Sequence, residues 1–499
     1  PETAAEAVLK FETTLATAHL TPAERRDAEK TYNKFASVAE LPAGTGDVKF
    51  DWKAYFDALG KEDPGEVNVS SVAALNAAID AALGADAADE DALRAYATFH
   101  AACRAADFLS DDFVNEDFAF FGKELNGQKE LKPRWKRVVS HANGLIGELV
   151  GQKYVEKHFP ADAKTAAVAL VAAVRTAVED RLRELPWMSE ATKARALEKM
   201  AGFRVKIGFP DEWIDYADLA IDASAPYYAN VLACKAFEHK RELKRMNAPV
   251  DREMWFMAPQ QVNAYYHPML NEIVFPAAIL QPPFFDAAAD PAINFGGIGA
   301  VIGHEITHGF DDQGRKFDAS GNMNDWWAAE DAEEFVTRAS VMVKQANDAV
   351  VHTQDEACEE KSMPFSLTKP GIRSVATKAC ACRNVNGELT QGENIADLGG
   401  LRLAHRAWKT YVGEGEHPSA APENFPEDSA MRFFYSWATV WRQNITPALA
   451  AKYIAIDPHA PPEVRVNGTV SNMPEFIAAF GVKEGDGLYR ADDERVDIW

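Results

Sequence analysis

The chain has 499 residues, 47% hydrophobic and 26% charged, with a net charge of −24. That length holds two or three domains or one large two-lobed protein, and the acidity excludes nucleic acid and anionic membrane surfaces as expected partners. No run of about 18 apolar residues exists, so no membrane-spanning helix is expected; the richest stretch, residues 165–178, is broken by Arg175 and reads as a packed helix.

The opening PETAAEAVLKFE has no Met, basic n-region or apolar core, which leaves localisation open. Thr21-Pro22-Ala23-Glu24 is a capping box with proline at the first helical position, a helix start. Val171, Val174, Val178 and Leu182 follow helical spacing, and Ser189 is placed to cap a helix running to Met200. Ala enrichment over residues 73–88 fits the same helical texture. From about Val250 the texture changes: residues 262–266 and 272–275 read as short strands, and LQPPFF (280–285) leads through FGGIG (295–299) into a motif rich in metal-ligand types. Further helices are expected from about Ala328 and over 431–443, then Pro/Gly loops with short elements to Trp499. The expected class is therefore mainly α with small β elements. A helical lobe is expected over 1–245 and a second lobe carrying the chemistry over 246–499.

Residues 301–308 read VIGHEITH and contain H-E-x-x-H. On a helix His304 and His308 stack at i and i+4, so both imidazoles reach one metal. Glu305, rotated about 100° around the axis, can hold and deprotonate a water without being a ligand. The bland alternative is two histidines on a surface helix, but Val301, Ile302 and Phe310 around the motif indicate burial. Zinc needs a third protein ligand and an open position. Glu393 in GENIADLGG is a candidate: in a helix it shares a face with Asp397, which could orient a ligating histidine. By spacing alone, Glu393 is equally a first-turn acid favoured by the helix dipole.

HEITHGFDDQGRKFD, GENIADLGGL, VNAYYHPMLNEIVFPAAILQPPFF and DPHAPPEVRVNGTVSNMPEFIAAFG together resemble the neprilysin and endothelin-converting-enzyme family of zinc metallopeptidases, in texture its bacterial-type members. The resemblance implies a two-lobed, largely helical fold with a thermolysin-like catalytic core and a helical covering lobe. It makes Glu393 the third ligand of one catalytic Zn2+ and Asp397 its supporting partner. His459 would stabilise the transition state and Arg465 would hold substrate on the carboxylate side. A positioned donor suits a tetrahedral oxyanion, and a guanidinium suits a carbonyl or terminus; taken alone, His459 reads as a solvated loop histidine and Arg465 as a surface residue. Asn263 and Ala264 match a substrate-binding edge strand, to which an extended peptide adds by main-chain hydrogen bonds. Ile279, Phe284, Val440 and Trp441, otherwise plain core positions, match the pocket for the residue after the scissile bond. The implied protein is a monomeric zinc metalloendopeptidase acting on oligopeptides and cutting before large apolar residues.

The sequence departs from the family at three places. A further N-terminal stretch of about a domain's size is not found before Pro1, so part of the covering lobe is expected to be missing. Residues 351–382 form a longer, more polar insertion than expected, read as disordered, and hold Cys358, Cys380 and Cys382. The C-terminus, Arg495 to Trp499, lacks the disulfide-forming Cys expected just before the final Trp, against a vertebrate-type ectoenzyme with its disulfide framework. The five cysteines, Cys103 and Cys234 included, read as free thiols or one local disulfide, with the C-x-C at 380–382 a weak second zinc candidate. Sequons at Asn68, Asn444 and Asn467 decide nothing. Two other functions compete: an impaired homologue that only binds peptides, and a metal-dependent hydrolase of non-peptide amides.

Overall fold

The computed structural model describes residues 2–61, 63–84, 90–352, 382–413 and 420–499, side chains 352 and 382 excepted. The insertion at 351–382, with the C-x-C pair and Cys358, thus lies almost wholly outside the described residues. Helices dominate, and strands are few and short. Among the described residues no helix is long and apolar enough to cross a membrane.

The chain divides into two compact units, Pro1–Pro133 with Asp215–Asp251, and Arg134–Ile214 with Arg252–Trp499. This division differs from a single break near 245. Residues 134–214 fold with the second unit because their apolar stripe is buried there, as set out below.

In the first unit the capping box forms as expected: Glu24 N donates to Thr21 Oγ1 at 3.2 Å and Thr21 N to Glu24 Oε2 at 3.0 Å. The helix it starts is only Pro22–Arg25, because Asp27 caps a second short helix at Ala28–Thr31. Helix Glu2–Thr17 packs on Val72–Leu83 and Glu90–Ala105. Cys103 and Cys234 are free thiols.

In the second unit, helix α1 (Ala161–Glu184) buries Val171, Val174, Val178 and Leu182. Burying each such side chain is worth about 1.5–3 kcal/mol. Their neighbours in the core include Ile302, Ile306, Phe310 and Leu398, from the motif region. Helix α2 (Glu190–Ala201) starts at Ser189, whose Oγ accepts from Thr192 N at 3.4 Å.

A three-stranded sheet follows: β1 (Arg204–Gly208), β2 (Tyr265–His267) and β3 (Glu272–Pro276), in order β1-β3-β2. β1 runs parallel to β3 and β2 antiparallel to it, with Tyr265 opposite Val274 and His267 opposite Glu272. The first strand sits later than residues 262–266. The turn at 268–271, with Asn271 at φ +47°, sets the hairpin register and draws pairing up to His267. β2 is thus a sheet edge, with Asn263 and Ala264 immediately ahead of it.

Residues 291–308 make one continuous helical rod, passing through a π-helical turn at Phe295–Gly299 into α3 (Ala300–His308). The glycines of FGGIG serve close approach: a Cβ on Gly296 would lie 2.0 Å from Phe433 O. Helices α4 (Ala329–Asp348), α5 (Gly387–Val412), α6 (Ser429–Val440) and α7 (Pro462–Val470) complete the frame. Between α4 and α5, Val350–His352 pairs antiparallel with Cys382–Asn384, so the two ends of the insertion meet. α3 and α5 cross glycine on glycine. A Cβ on Gly303 would stand 2.6 Å from Gly400 O, and one on Gly400 would stand 2.4 Å from His304 N. That contact fixes the spacing between the histidines of α3 and the carboxylates of α5.

Candidate metal centre

α3 is buried from Ala300 to Thr307, and His308 is nearly so. The two histidines, one turn apart, face each other with Nε2 atoms 3.0 Å apart. Across the helix crossing Glu393 brings Oε2 to 3.2 Å from His304 Nε2 and 3.5 Å from His308 Nε2. His304 Nδ1–H donates to Asp397 Oδ1 at 2.9 Å and His308 Nδ1–H to Asp311 Oδ2 at 2.7 Å. Those two bonds fix the tautomers and leave both Nε2 lone pairs aimed at one point.

Two lone pairs and a carboxylate oxygen directed at each other need a cation between them. Glu393 Oε2 is buried yet makes no aligned hydrogen bond, an orphaned acceptor. The edges of the triangle match the roughly 3.3 Å between donors on a tetrahedral zinc with bonds of about 2.0–2.1 Å. Five carboxylates (Glu305, Asp311, Glu393, Asp397, Asp457) gather around the histidines, and the Arg465 guanidinium is hydrogen-bonded to one of them, Asp397. The residues present therefore fit a zinc ion. His304, Glu305 and His308 also offer ligand atoms within 4.8 Å of one another, while Glu393 Oε2 stands 3.2 and 3.5 Å from the two Nε2 atoms, at tetrahedral-edge distance.

Electrostatics follow from burial and charge. Burial pushes the Glu305 carboxyl above the ordinary range, against the pull of the His304, His308 and His459 imidazoles. Burial acts the same way on Glu393, but the imidazoles of His308, His459 and His304 outweigh it and hold it well below. His304 is raised: burial and His308 disfavour its charge, and the bond to Asp397 with the nearby Glu393 carboxylate outweighs them.

His459 Nε2 stands 3.3 Å from Glu393 Oε2, and Asp457 Oδ1 accepts from both His459 Nδ1 (2.8 Å) and His459 N (2.9 Å). Arg465 is buried, not at the surface. Its Nε and Nη2 donate to Asp397 Oδ2 and Oδ1, both at 2.7 Å, and its guanidinium lies 3.7 Å from the ring centre of Trp441. The structure thus gathers His304, His308, Glu305, Glu393, Asp397, His459 and Arg465 into one cluster. Asn263 and Ala264 precede the edge strand β2, which packs beside α3. Ile279 is buried, and Phe284, Val440 and Trp441 pack half-buried against the same core. Reading the sequence missed Asp311 and Asp457. Both carry a local signal, an acid three residues after His308 and one two residues before His459, which is visible once each histidine has a role.

Profiles described as "Peptidase family M13" match residues 1–210, and 263–366 with 370–496. The chain belongs to peptidase family M13. Among curated members it is 35% identical over 387 residues to mouse "Membrane metallo-endopeptidase-like 1", covering 76% of this chain and 47% of that protein. It is 32% identical over 501 residues to bovine "Endothelin-converting enzyme 1", covering 99% and 62%. The chain therefore spans about half the length of the curated M13 relatives it matches. Among solved structures, the Mycobacterium tuberculosis zinc metalloprotease Zmp1 bound to an inhibitor superposes with a TM-score of 0.86 at 40% identity, covering all of this chain and 70% of that one.

Proposed function

We propose that this M13 chain is a zinc-dependent metalloendopeptidase that hydrolyses oligopeptides. The observation that carries the reading is the triangle of His304 Nε2, His308 Nε2 and Glu393 Oε2, with edges of 3.0–3.5 Å, beside the buried carboxylate of Glu305. The relatives named as metallo-endopeptidase and zinc metalloprotease support it.

His304, His308 and Glu393 would hold one zinc, which when bound would supply a Lewis acid and acidify water. Glu305 takes the proton of the attacking water at its carboxylate and returns it to the leaving amine nitrogen. His459, oriented by Asp457, donates from Nε2 to the oxyanion as the scissile carbonyl becomes tetrahedral. Asp397 keeps His304 in register. It also holds Arg465 through Nε and Nη2, which leaves Nη1 for a substrate carbonyl on the far side of the cut. Main-chain groups of Asn263 and Ala264 pair with the extended peptide, and Ile279, Phe284, Val440 and Trp441 receive a large apolar side chain after the scissile bond.

The test is mass spectrometry of a peptide mixture digested by the 499-residue chain with and without chelator. Cuts before Leu, Ile, Phe or Met that vanish on chelation and return with zinc are expected. Cleavage that persists with chelator or in Glu305→Ala would sink the mechanism, and random cut sites would sink the pocket.

A further inference from the structure

Lys199, on α2, is 1% exposed. Its Nζ donates to Gly309 O, Gly314 O and Phe317 O, each at 2.7 Å, which uses all three ammonium hydrogens. Aromatic rings 5.6–6.0 Å away wall the ammonium in. The three carbonyls belong to the segment that leaves the metal helix directly after His308. Three carbonyl oxygens pointed at one buried spot repel one another and are stable only around a donor-rich cation. This charge therefore dictates the path of residues 309–317.

That path determines one thing at the metal centre. Asp311 sits inside the segment, with Oδ1 accepting from Gln313 N (2.9 Å) and Gly314 N (2.6 Å) and Oδ2 accepting from His308 Nδ1 (2.7 Å). Gly314 is bonded on both sides, its N to Asp311 and its O to Lys199. The turn also folds tightly on the ligand's own backbone: a Cβ on Gly314 would be 1.7 Å from His308 O. Lys199 reaches this turn from 110 residues upstream, and its three ammonium hydrogen bonds all go to main-chain carbonyls of the turn, none to a side chain of His304, His308 or Glu393.

We infer that Lys199 is a positioning residue for the metal centre: its ammonium shapes the 309–317 turn, the turn aims Asp311, and Asp311 fixes the ring of His308 for zinc. The inference rests on the proposed zinc site.

The experiment measures zinc affinity of the full chain by competition with a chromophoric chelator, for wild type, Lys199→Met, Asp311→Asn and the double variant. Partners that orient a ligating histidine typically contribute about 10–100-fold in affinity. Lys199→Met and Asp311→Asn should each lose about that much. Because they act in one chain of contacts, the double variant should bind within about twofold of Asp311→Asn alone. A general loss of packing would not produce that non-additivity. Lys199→Met with affinity within about twofold of wild type, or losses that multiply in the double variant, overturns the inference. A wild-type chain that binds no zinc overturns it together with the zinc reading. If far-UV circular dichroism shows Lys199→Met unfolded, Lys199→Arg carries the same cycle, since it keeps the charge and changes only the direction of its donors.

Discussion

Asp397 serves two buried partners at once, and replacing it separates their contributions. It is 1% exposed, accepts from His304 Nδ1 at 2.9 Å and receives two bonds of 2.7 Å from Arg465. Asp397→Asn keeps the shape and an acceptor for His304, but leaves the Arg465 guanidinium buried beside a neutral amide. Removing one partner of a buried ion pair costs about 3–5 kcal/mol. Glu393 and Glu305 still favour the Arg465 charge, which places the loss near the lower end, about 3 kcal/mol. With a urea slope near the top of the usual range, about 3 kcal/mol per molar, the unfolding midpoint of the chelated chain should drop by about 1 M. Zinc affinity should fall only about tenfold, or about 1.4 kcal/mol, because the acceptor for His304 survives. Asp397→Ala removes that acceptor too and should lose about 100-fold. Urea titration followed by tryptophan fluorescence, and chelator competition, measure the two effects. A midpoint within about 0.2 M of wild type, or equal zinc affinities for the Asn and Ala variants, would refute the assignment of Asp397 to both partners.

Glu305→Gln should retain zinc and lose at least about 10²–10⁴-fold in peptide cleavage, checked by metal analysis alongside kcat; retained activity would contradict the base role. His459→Phe should lower kcat about 10²–10³-fold with zinc content unchanged, read from steady-state kinetics. Gly400→Ala puts a methyl 2.4 Å from His304 N and 2.7 Å from Ala300 O; main chain cannot yield as a side-chain tip does, so a loss of about 1–3 kcal/mol in stability is expected, together with weaker zinc binding. Asp331 is buried, which opposes its charge, yet bonds from Ser189 and Thr192 hold its carboxyl below the ordinary value. A depressed folded pKa stabilises the fold above the unfolded value of about 4 and is lost as pH falls through the lower, folded value. Asp331→Asn should therefore flatten the acid limb of a stability–pH profile and leave its shape above about pH 5 unchanged.

Much of this protein is local and could be read along the chain. The i, i+4 rule places His304 and His308 on one face, and the same rule joins Glu393 to Asp397, because a helix's period is a property of the backbone. The buried stripe of α1 and the cap at Ser189 follow from pattern and short-range hydrogen bonding. What spacing could not decide was Glu393 itself, since a first-turn acid and a metal ligand look alike in a single helix. The helix begins at Gly387, which puts Glu393 beyond its first turn, and the glycine contact between Gly303 and Gly400 sets how closely α5 brings it to the two histidines. Arg465, surface-like when read alone, is buried because Asp397 and the Trp441 ring compensate its charge. The boundary between compact units also escaped the sequence. The packing of α1 against the core around α3 and α5 shows where residues 134–214 belong. Lys199 is the clearest case. A lysine in an amphipathic helix normally faces water, and nothing within a few residues of it hints otherwise. Its burial depends on three carbonyls that become neighbours only after more than a hundred residues of chain have folded back on it. Sequence determined the chemistry available on each element, because that depends on residue type and helical period. Tertiary structure decided which buried charges meet, because a desolvated charge is stable only where distant parts of the chain supply its partners.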